Sequence, residues 1–238
     1  MLKLERKNMI IKYLEEHESA TVEELSKKLG VSPMTIRRDF QSLEDSNMLT
    51  RTFGGAVLRS KLTTEIPYKN KSISHKEEKK RIAKYSASLV QDGQIVLLDS
   101  GTTNMEIAKL LKQKKDLTII TTDIKIAGYL AFSTDFKILC TGGIIQNSTG
   151  TCFGSSAVEF LKNINVNIGF IATSSIDVDK GISTPTLQKA DIKKQIVECS
   201  DTCILVADRG KFNKRSFIKI CDLDVFDEIV TDADLDKD

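Results

Sequence analysis

"TVEELSKKLGVSPMTIRRDFQSLE", Thr21 to Glu44, specifies two helices joined by a tight turn. Thr21 with Glu24 three places on is a capping box, in which each side chain satisfies a backbone N–H at the helix start. Val22, Leu25 and Leu29 share one apolar face, and Gly30 can take the left-handed conformation that ends a helix. Ser32 caps the second helix, Pro33 takes its tolerated first position, and Val31 is placed to staple against Ile36. Ile36, Phe40 and Leu43 recur at helical spacing and face a core, which leaves Thr35, Arg37, Arg38, Gln41 and Ser42 outward.

Working outward, LTRTFGGAVLR reads as two short strands around Gly54-Gly55, a wing flanked by Arg51 and Arg59. Adjacent arginines on an amphipathic helix are by themselves an ordinary solvated face. A tight turn, a capped helix carrying outward Thr and Arg, and a glycine hairpin together favour DNA binding. Side chains near such a helix start can reach base edges and phosphates in a major groove.

The run "VSPMTIRRDFQSLEDSNMLTRTFGGA" resembles the winged helix-turn-helix signature of the DeoR family of bacterial transcriptional regulators. Two residues depart from the family pattern: Phe53 stands where histidine is common before the glycines, and Phe40 replaces leucine. The resemblance implies double-stranded operator DNA as partner, contacted by Thr35, Arg37, Arg38 and Arg51, and the helix start and outward face add Ser32 and Gln41 to the candidate set.

The chain of 238 residues is 40% hydrophobic and 29% charged, with a formal charge of +2, so its bulk charge neither demands nor forbids nucleic acid. No apolar run approaches the roughly 20 residues that span a bilayer, and MLKLERKNMI does not read as a signal peptide. Cys140, Cys152, Cys199, Cys203 and Cys221 are scattered without a CxxC pair, and only His17 and His75 could join them. The cysteines therefore read as small core hydrophobes in a reducing cytoplasm, with no metal site and no cofactor expected.

The expected architecture has two domains: an N-terminal winged helix-turn-helix over residues 1–59, a linker over 60–76, and an α/β domain with a mostly parallel sheet over 77–238. Between 60 and 84 lie eight cations against three acids, read as a solvated linker running into a helix. Beyond it QIVLLD, LTIITTD, FKILCTGG, NIGFIATS and TCILVADRG alternate with amphipathic segments, the pattern of a parallel α/β layer.

Polar clusters follow several of these strands. SGTTN, Ser100 to Asn104, offers Gly101 for close approach, the hydroxyls of Ser100, Thr102 and Thr103, and a helix start whose N–H groups attract an anion. There is no GxxxxGK[ST] and no GxGxxG. Thr121-Thr122-Asp123, Gly142-Gly143, Ser174-Ser175-Ile176-Asp177, and Asp208 with Lys211 fall at other strand ends. Convergence of these clusters predicts a pocket for a small phosphorylated molecule.

The same family resemblance extends over DGQIVLLDSGTT, LTIITTD, CTGG, ADIKKQIVECSD and LVADRGKF, which are similar to a DeoR-type sensor domain related to ribose-5-phosphate isomerase. It implies a phosphorylated-sugar effector held by Gly101, Thr102, Thr103, Lys193 and Lys211. Asp177 and Asp208 are its hydroxyl partners, and Asp99, Ser100, Gly142 and Gly143 complete the set. Asp123 replaces the family's asparagine, and an acid there either meets sugar hydroxyls or lies outside the pocket.

Isomerases of that fold carry a glutamate just before a lysine as the proton-moving base. Here the stretch is Asp191-Ile192-Lys193-Lys194, and Asp191 sits about 100–200° round a helix from that place. The chain therefore reads as a regulator that senses, most simply a repressor, acting as a homodimer or homotetramer and not as an enzyme. The alternative is a sugar-phosphate isomerase with an accessory DNA-binding domain.

Overall fold

The computed structural model describes residues 2–17, 19–46, 48–58, 62–63 and 65–232. Arg59, expected beside the wing, lies outside the described residues. The chain divides into two compact units, Met1–Ile66 and Pro67–Asp238.

In the first unit α1 (Lys3–His17) leads to β1 (Ser19–Thr21), α2 (Val22–Leu29), α3 (Pro33–Asp45), β2 (Leu49–Thr52) and β3 (Gly55–Leu58). The capping box at Thr21, the left-handed Gly30 and the Ser32 cap on Thr35 N–H form as the sequence predicts. Ile36, Phe40 and Leu43 of α3 join Ile10, Leu14 and Leu25 in one core. The strand β1 is an addition: β3 lies between β1 and β2 in an antiparallel sheet. Gly55 makes that pairing possible, since a Cβ there would sit 2.4 Å from the Ala20 carbonyl oxygen.

The second unit opens with α4 (Tyr68–Ile73) and α5 (Lys76–Ser88), so part of the stretch read as linker is helical. Then follow β4 (Ile95–Leu98), α6 (Thr102–Leu111), β5 (Thr118–Thr121), α7 (Ile124–Ala131), β6 (Lys137–Cys140), β7 (Ile144–Ile145), β8 (Cys152–Phe153) and α8 (Ser155–Lys162). The chain continues through β9 (Val166–Ala172), β10 (Ser175–Asp177), β11 (Gly181–Thr184), α9 (Leu187–Cys199), β12 (Ser200–Val206), β13 (Ile218–Cys221) and β14 (Glu228–Val230).

Six strands form a parallel sheet in the order β14-β12-β9-β4-β5-β6. Alternation along each strand feeds both faces. Val96, Leu98, Ile119, Phe170 and Ile204 pack with α5, α6 and α7. Leu97, Ile120, Ile171 and Leu205 pack with α8, α9 and the small antiparallel sheet β10-β11-β13. Burial on both faces explains why these strands read as unbroken aliphatic runs. From β4 the chain winds outward to β5 and β6, then returns to β9 on β4's other side. The carboxyl ends of β4 and β9 are therefore a topological switch point, where open α/β sheets hold ligands.

Candidate DNA-reading face and anion pocket

On α3, Arg37, Arg38 and Gln41 are exposed, whereas Thr35 is half-buried with its hydroxyl 3.0 Å from the Ser32 hydroxyl. Arg51 is exposed on β2 and donates to the Gln41 side-chain oxygen, while its backbone N–H donates to Glu44 Oε1 at 2.9 Å. The structure thus gathers Ser32, Thr35, Arg37, Arg38, Gln41 and Arg51 on α3 and the adjoining strand. Ser42 differs from the expected outward residue: it is half-buried and accepts from Lys7 Nζ. Unforeseen in the sequence, Asp39 is buried and paired with Arg6, whose Nη2 lies 3.2 Å from Asp39 Oδ1. That pair ties α3 to α1.

Phe53, the residue that departs from the family pattern, stands at the turn between β2 and β3 and is fully exposed. Gly54 beside it has φ +81°, the left-handed backbone that tight hairpins require.

In the second unit a pocket opens at the switch point. Ser100, Gly101, Thr102 and Thr103 form one wall, with Ala172, Thr173 and Ser174 from the end of β9 beside them. Gly101 adopts φ +142°, a backbone open to glycine, and supplies no side chain to cap α6. The first N–H groups of α6 have no acceptor within the helix, and the helix dipole adds positive potential there. Ser100 N–H is already committed to Asp99 Oδ1 at 2.7 Å and Thr122 Oγ1 at 2.9 Å, and Gly101 N–H to Asp123 Oδ2 at 3.2 Å. The available backbone donors at the seat are therefore those of the helix itself.

Among the described residues, Lys71, Lys79, Lys189, Lys193 and Lys211 line the pocket against one lining carboxylate, Asp208. This lysine excess favours an anionic ligand. Burial, ahead of its neighbour Lys71, pulls the Lys211 ammonium down to about 8. Burial likewise lowers Lys79, whose ammonium donates to the carbonyls of Lys71 and Ser74. Tyr68 adds an aromatic wall under the Lys125 ammonium, and burial pushes its phenol up to about 12. Thr184 is a fully buried residue of the lining, and its Oγ1 has no hydrogen-bond partner among the described residues.

Of the residues expected around the effector, Ser100, Gly101, Thr102, Thr103, Lys193, Asp208 and Lys211 share this lining. Asp99 lies buried beneath it, ion-paired with Lys193. Gly142 and Gly143 are absent from the lining: a Cβ at Gly143 would meet the Phe153 carbonyl oxygen at 2.5 Å, so close packing on β8 accounts for that glycine. Asp177 is also elsewhere, bonded to Arg215 at 2.6 Å, a contact that holds its carboxyl below the usual range. Asp123 caps α7 from a buried position outside the lining.

Sequence reading missed Tyr68, Lys71 and Lys79, because a lysine-rich stretch was assigned to solvent. Pro67 before a lone aromatic residue was the available signal of a helix start. Thr149, Thr151, Thr184 and Lys189 were missed because their placement depends on how the small sheets fold back. Asp191 is exposed on α9, whereas Lys193 is buried. Among the described residues no helix is long and apolar enough to cross a membrane.

Residues 6–61 match the model of a DeoR-like helix-turn-helix domain, and residues 74–233 match that of a DeoR C-terminal sensor domain. The chain is 36% identical to the HTH-type transcriptional regulator GlpR of Haloferax volcanii, over all of this chain and 93% of that one. It is 30% identical to the glycerol-3-phosphate regulon repressor of Escherichia coli K12, over 98% of this chain and 92% of that one. Among solved structures, ribose 5-phosphate isomerase from Plasmodium falciparum is similar at TM-score 0.41 and 17% identity, covering 56% of this chain and 52% of that one. The last likeness is too loose to bear on the site.

Proposed function

The chain belongs to the DeoR family of transcriptional regulators, and on that premise we propose that it is a cytoplasmic repressor whose operator affinity is set by a phosphorylated sugar. The observation that carries this reading is the uncapped start of α6 at the switch point, facing a lining rich in lysine. A phosphate dianion matches both features, and the threonine and serine hydroxyls around them suit a polyol. The name of the Escherichia coli relative makes glycerol 3-phosphate a natural member of the first ligand panel. Paired half-sites on DNA call for at least a homodimer.

Sensing is favoured over isomerisation. Proton transfer needs a carboxylate at the substrate carbon. Asp191 is exposed, Asp99 is ion-paired with Lys193, and Asp208 Oδ1 accepts the Gly210 N–H at 3.1 Å. Ligand binding shifts DNA affinity only by its preference between two conformations. A thermal-shift panel of sugar phosphates, followed by operator titration with each hit, tests the reading. A stabilising sugar phosphate that weakens operator binding without turning over is the expected result. Stabilisation by none of the panel, or rapid isomerisation of a hit, would overturn it.

A further inference from the structure

Cys140 ends β6 and Cys152 opens β8, and their sulfurs lie 3.8 Å apart. Cys140 is exposed and Cys152 is buried. Two close backbone approaches hold the pair. Gly143, three residues past Cys140, packs against the carbonyl of Phe153, the neighbour of Cys152. The N–H of Thr141 donates to the Thr121 carbonyl at 3.1 Å, and that of Cys152 to the Thr122 carbonyl at 2.7 Å, so consecutive residues at the end of β5 anchor both strands. Core packing explains the burial of Cys152 but not a second cysteine, itself an exposed residue, with its sulfur in van der Waals range.

We propose that Cys140 and Cys152 are a dithiol that a hydroperoxide converts into a disulfide beside the anion pocket. The exposed Cys140 thiolate attacks the peroxide oxygen, breaking the O–O bond and leaving Cys140 as a sulfenic acid with release of water or an alcohol. The Cys152 sulfur then displaces the sulfenic hydroxyl: the S–S bond forms, the S–O bond breaks, and water carries away the Cys152 proton. Both thiols are oxidised and one peroxide is reduced. Burial, with Cys140 next, pushes the Cys152 thiol up to about 12, which makes it the second and not the first to react.

The bond has a consequence at the pocket, and this part rests on the proposed function. Thr151, next to Cys152, donates to the Ser100 hydroxyl at 2.9 Å, and both residues line the pocket. A disulfide draws the sulfurs from 3.8 Å to about 2.05 Å, pulling β8 away from the Ser100 wall. Oxidation therefore weakens anion binding.

Trypsin releases Ile138–Lys162 with both cysteines in one peptide. After hydrogen peroxide and alkylation of the full chain, this peptide is expected lighter by two hydrogens and unalkylated, and dithiothreitol restores two alkylation sites. In Cys152→Ser the sulfenic acid at Cys140 persists and is trapped by dimedone, whereas Cys140→Ser leaves Cys152 reduced. Full alkylation of both cysteines after peroxide, or oxidation of Cys140 to higher acids with Cys152 still free, overturns the site. The affinity of the oxidised protein for inorganic phosphate is expected to fall several-fold, reversibly, with no change in either serine variant. Unchanged affinity in protein that carries the disulfide overturns the coupling. Failure of reduced protein to bind phosphate at all counts against the sensor reading and leaves the peptide result standing.

Discussion

Lys193 and Asp99 form a buried ion pair under the proposed phosphate seat, and the Lys193 ammonium also donates to the Ala172 carbonyl at 2.6 Å. One pair thereby ties α9 to the carboxyl ends of β4 and β9, where the sheet divides. Asp99 is further held by the N–H groups of Ser100 and Ala172. Lys193 was expected as a direct effector contact; its geometry makes it first a support of the seat.

Lys193→Ala is therefore expected to cost stability as well as ligand response. Removing one member of a buried pair leaves the other charge uncompensated, at about 3–5 kcal/mol. Asp99→Asn together with Lys193→Met removes both charges and is expected to recover a large part of that loss. Urea denaturation of the three proteins checks this. Equal stability of the single and double variants would show that the charges do not depend on one another.

Arg38→Ala addresses the reading face. Arg38 is exposed on α3 and has no part in the core of its unit. Loss of a base or phosphate contact is expected to weaken operator binding by about 1–3 kcal/mol, with phosphate binding unaltered. Fluorescence anisotropy with an operator selected in vitro measures the first, and calorimetry with inorganic phosphate the second. Unchanged DNA affinity would place the contact surface elsewhere.

Arg6 and Asp39 make a different demand on the same helix. Asp39 is 1% exposed, so Arg6→Met strands a carboxylate inside the first unit. The expected loss is on the order of 3 kcal/mol, seen as an earlier unfolding transition, whereas Arg6→Lys retains part of it. A transition midpoint unmoved by Arg6→Met would show that the pair is replaceable by solvent.

These pairs mark what was legible in the sequence. Thr21, Glu24, Gly30 and Ser32 act within a few residues of themselves, so helix ends and the turn were readable from local chemistry. The aliphatic strands were readable because both sheet faces are buried. The glycine before α6 was readable for the same local reason. Arg6–Asp39 and Lys193–Asp99 join residues far apart in the chain, and no periodicity reports such a partner. Cys140 shows the same limit: it was read as a core hydrophobe, but it is an exposed residue at the end of the edge strand β6. Asp177 misled because a strand-end acid looks alike whether it faces a ligand or, as here, Arg215.

If the lysine-lined pocket holds phosphate as proposed, Lys211 makes that binding pH-dependent. Burial holds its ammonium at about 8 instead of 10.5. Below about 8 the lysine is charged both folded and unfolded, and the penalty of burying that charge is fully present. Between 8 and 10.5 the unfolded chain keeps the proton that the folded chain has released, so this group raises stability with pH across that window. A bound dianion favours the charged form and raises the folded value, so binding takes up protons near pH 8. Stabilisation by inorganic phosphate is expected to fade as pH rises through 8, and Lys211→Met is expected to remove that dependence. Thermal shifts across this range check it, and a phosphate effect that persists undiminished well above pH 8 in the wild type would sink the assignment.

Thr184 tests what lies beyond the phosphate. The residue belongs to the pocket lining, and its enclosed hydroxyl has no hydrogen-bond partner among the described residues, an arrangement that costs free energy until a partner arrives. Thr184 closes β11, an element separate from the β4–α6 junction proposed to seat the phosphate. A ligand extending from the seat with further hydroxyls can supply the missing partner; inorganic phosphate alone has no such extension. Thr184→Val keeps the shape and removes the hydroxyl. It is expected to leave the ligand-free protein equally stable or slightly more stable, and phosphate affinity unchanged. The affinity for the sugar phosphate is expected to fall by about 1 kcal/mol, the net worth of one hydrogen bond. Calorimetry with the two ligands separates the cases. A parallel loss for both would place Thr184 at the phosphate itself, and no loss for either would show that its hydroxyl never meets the effector.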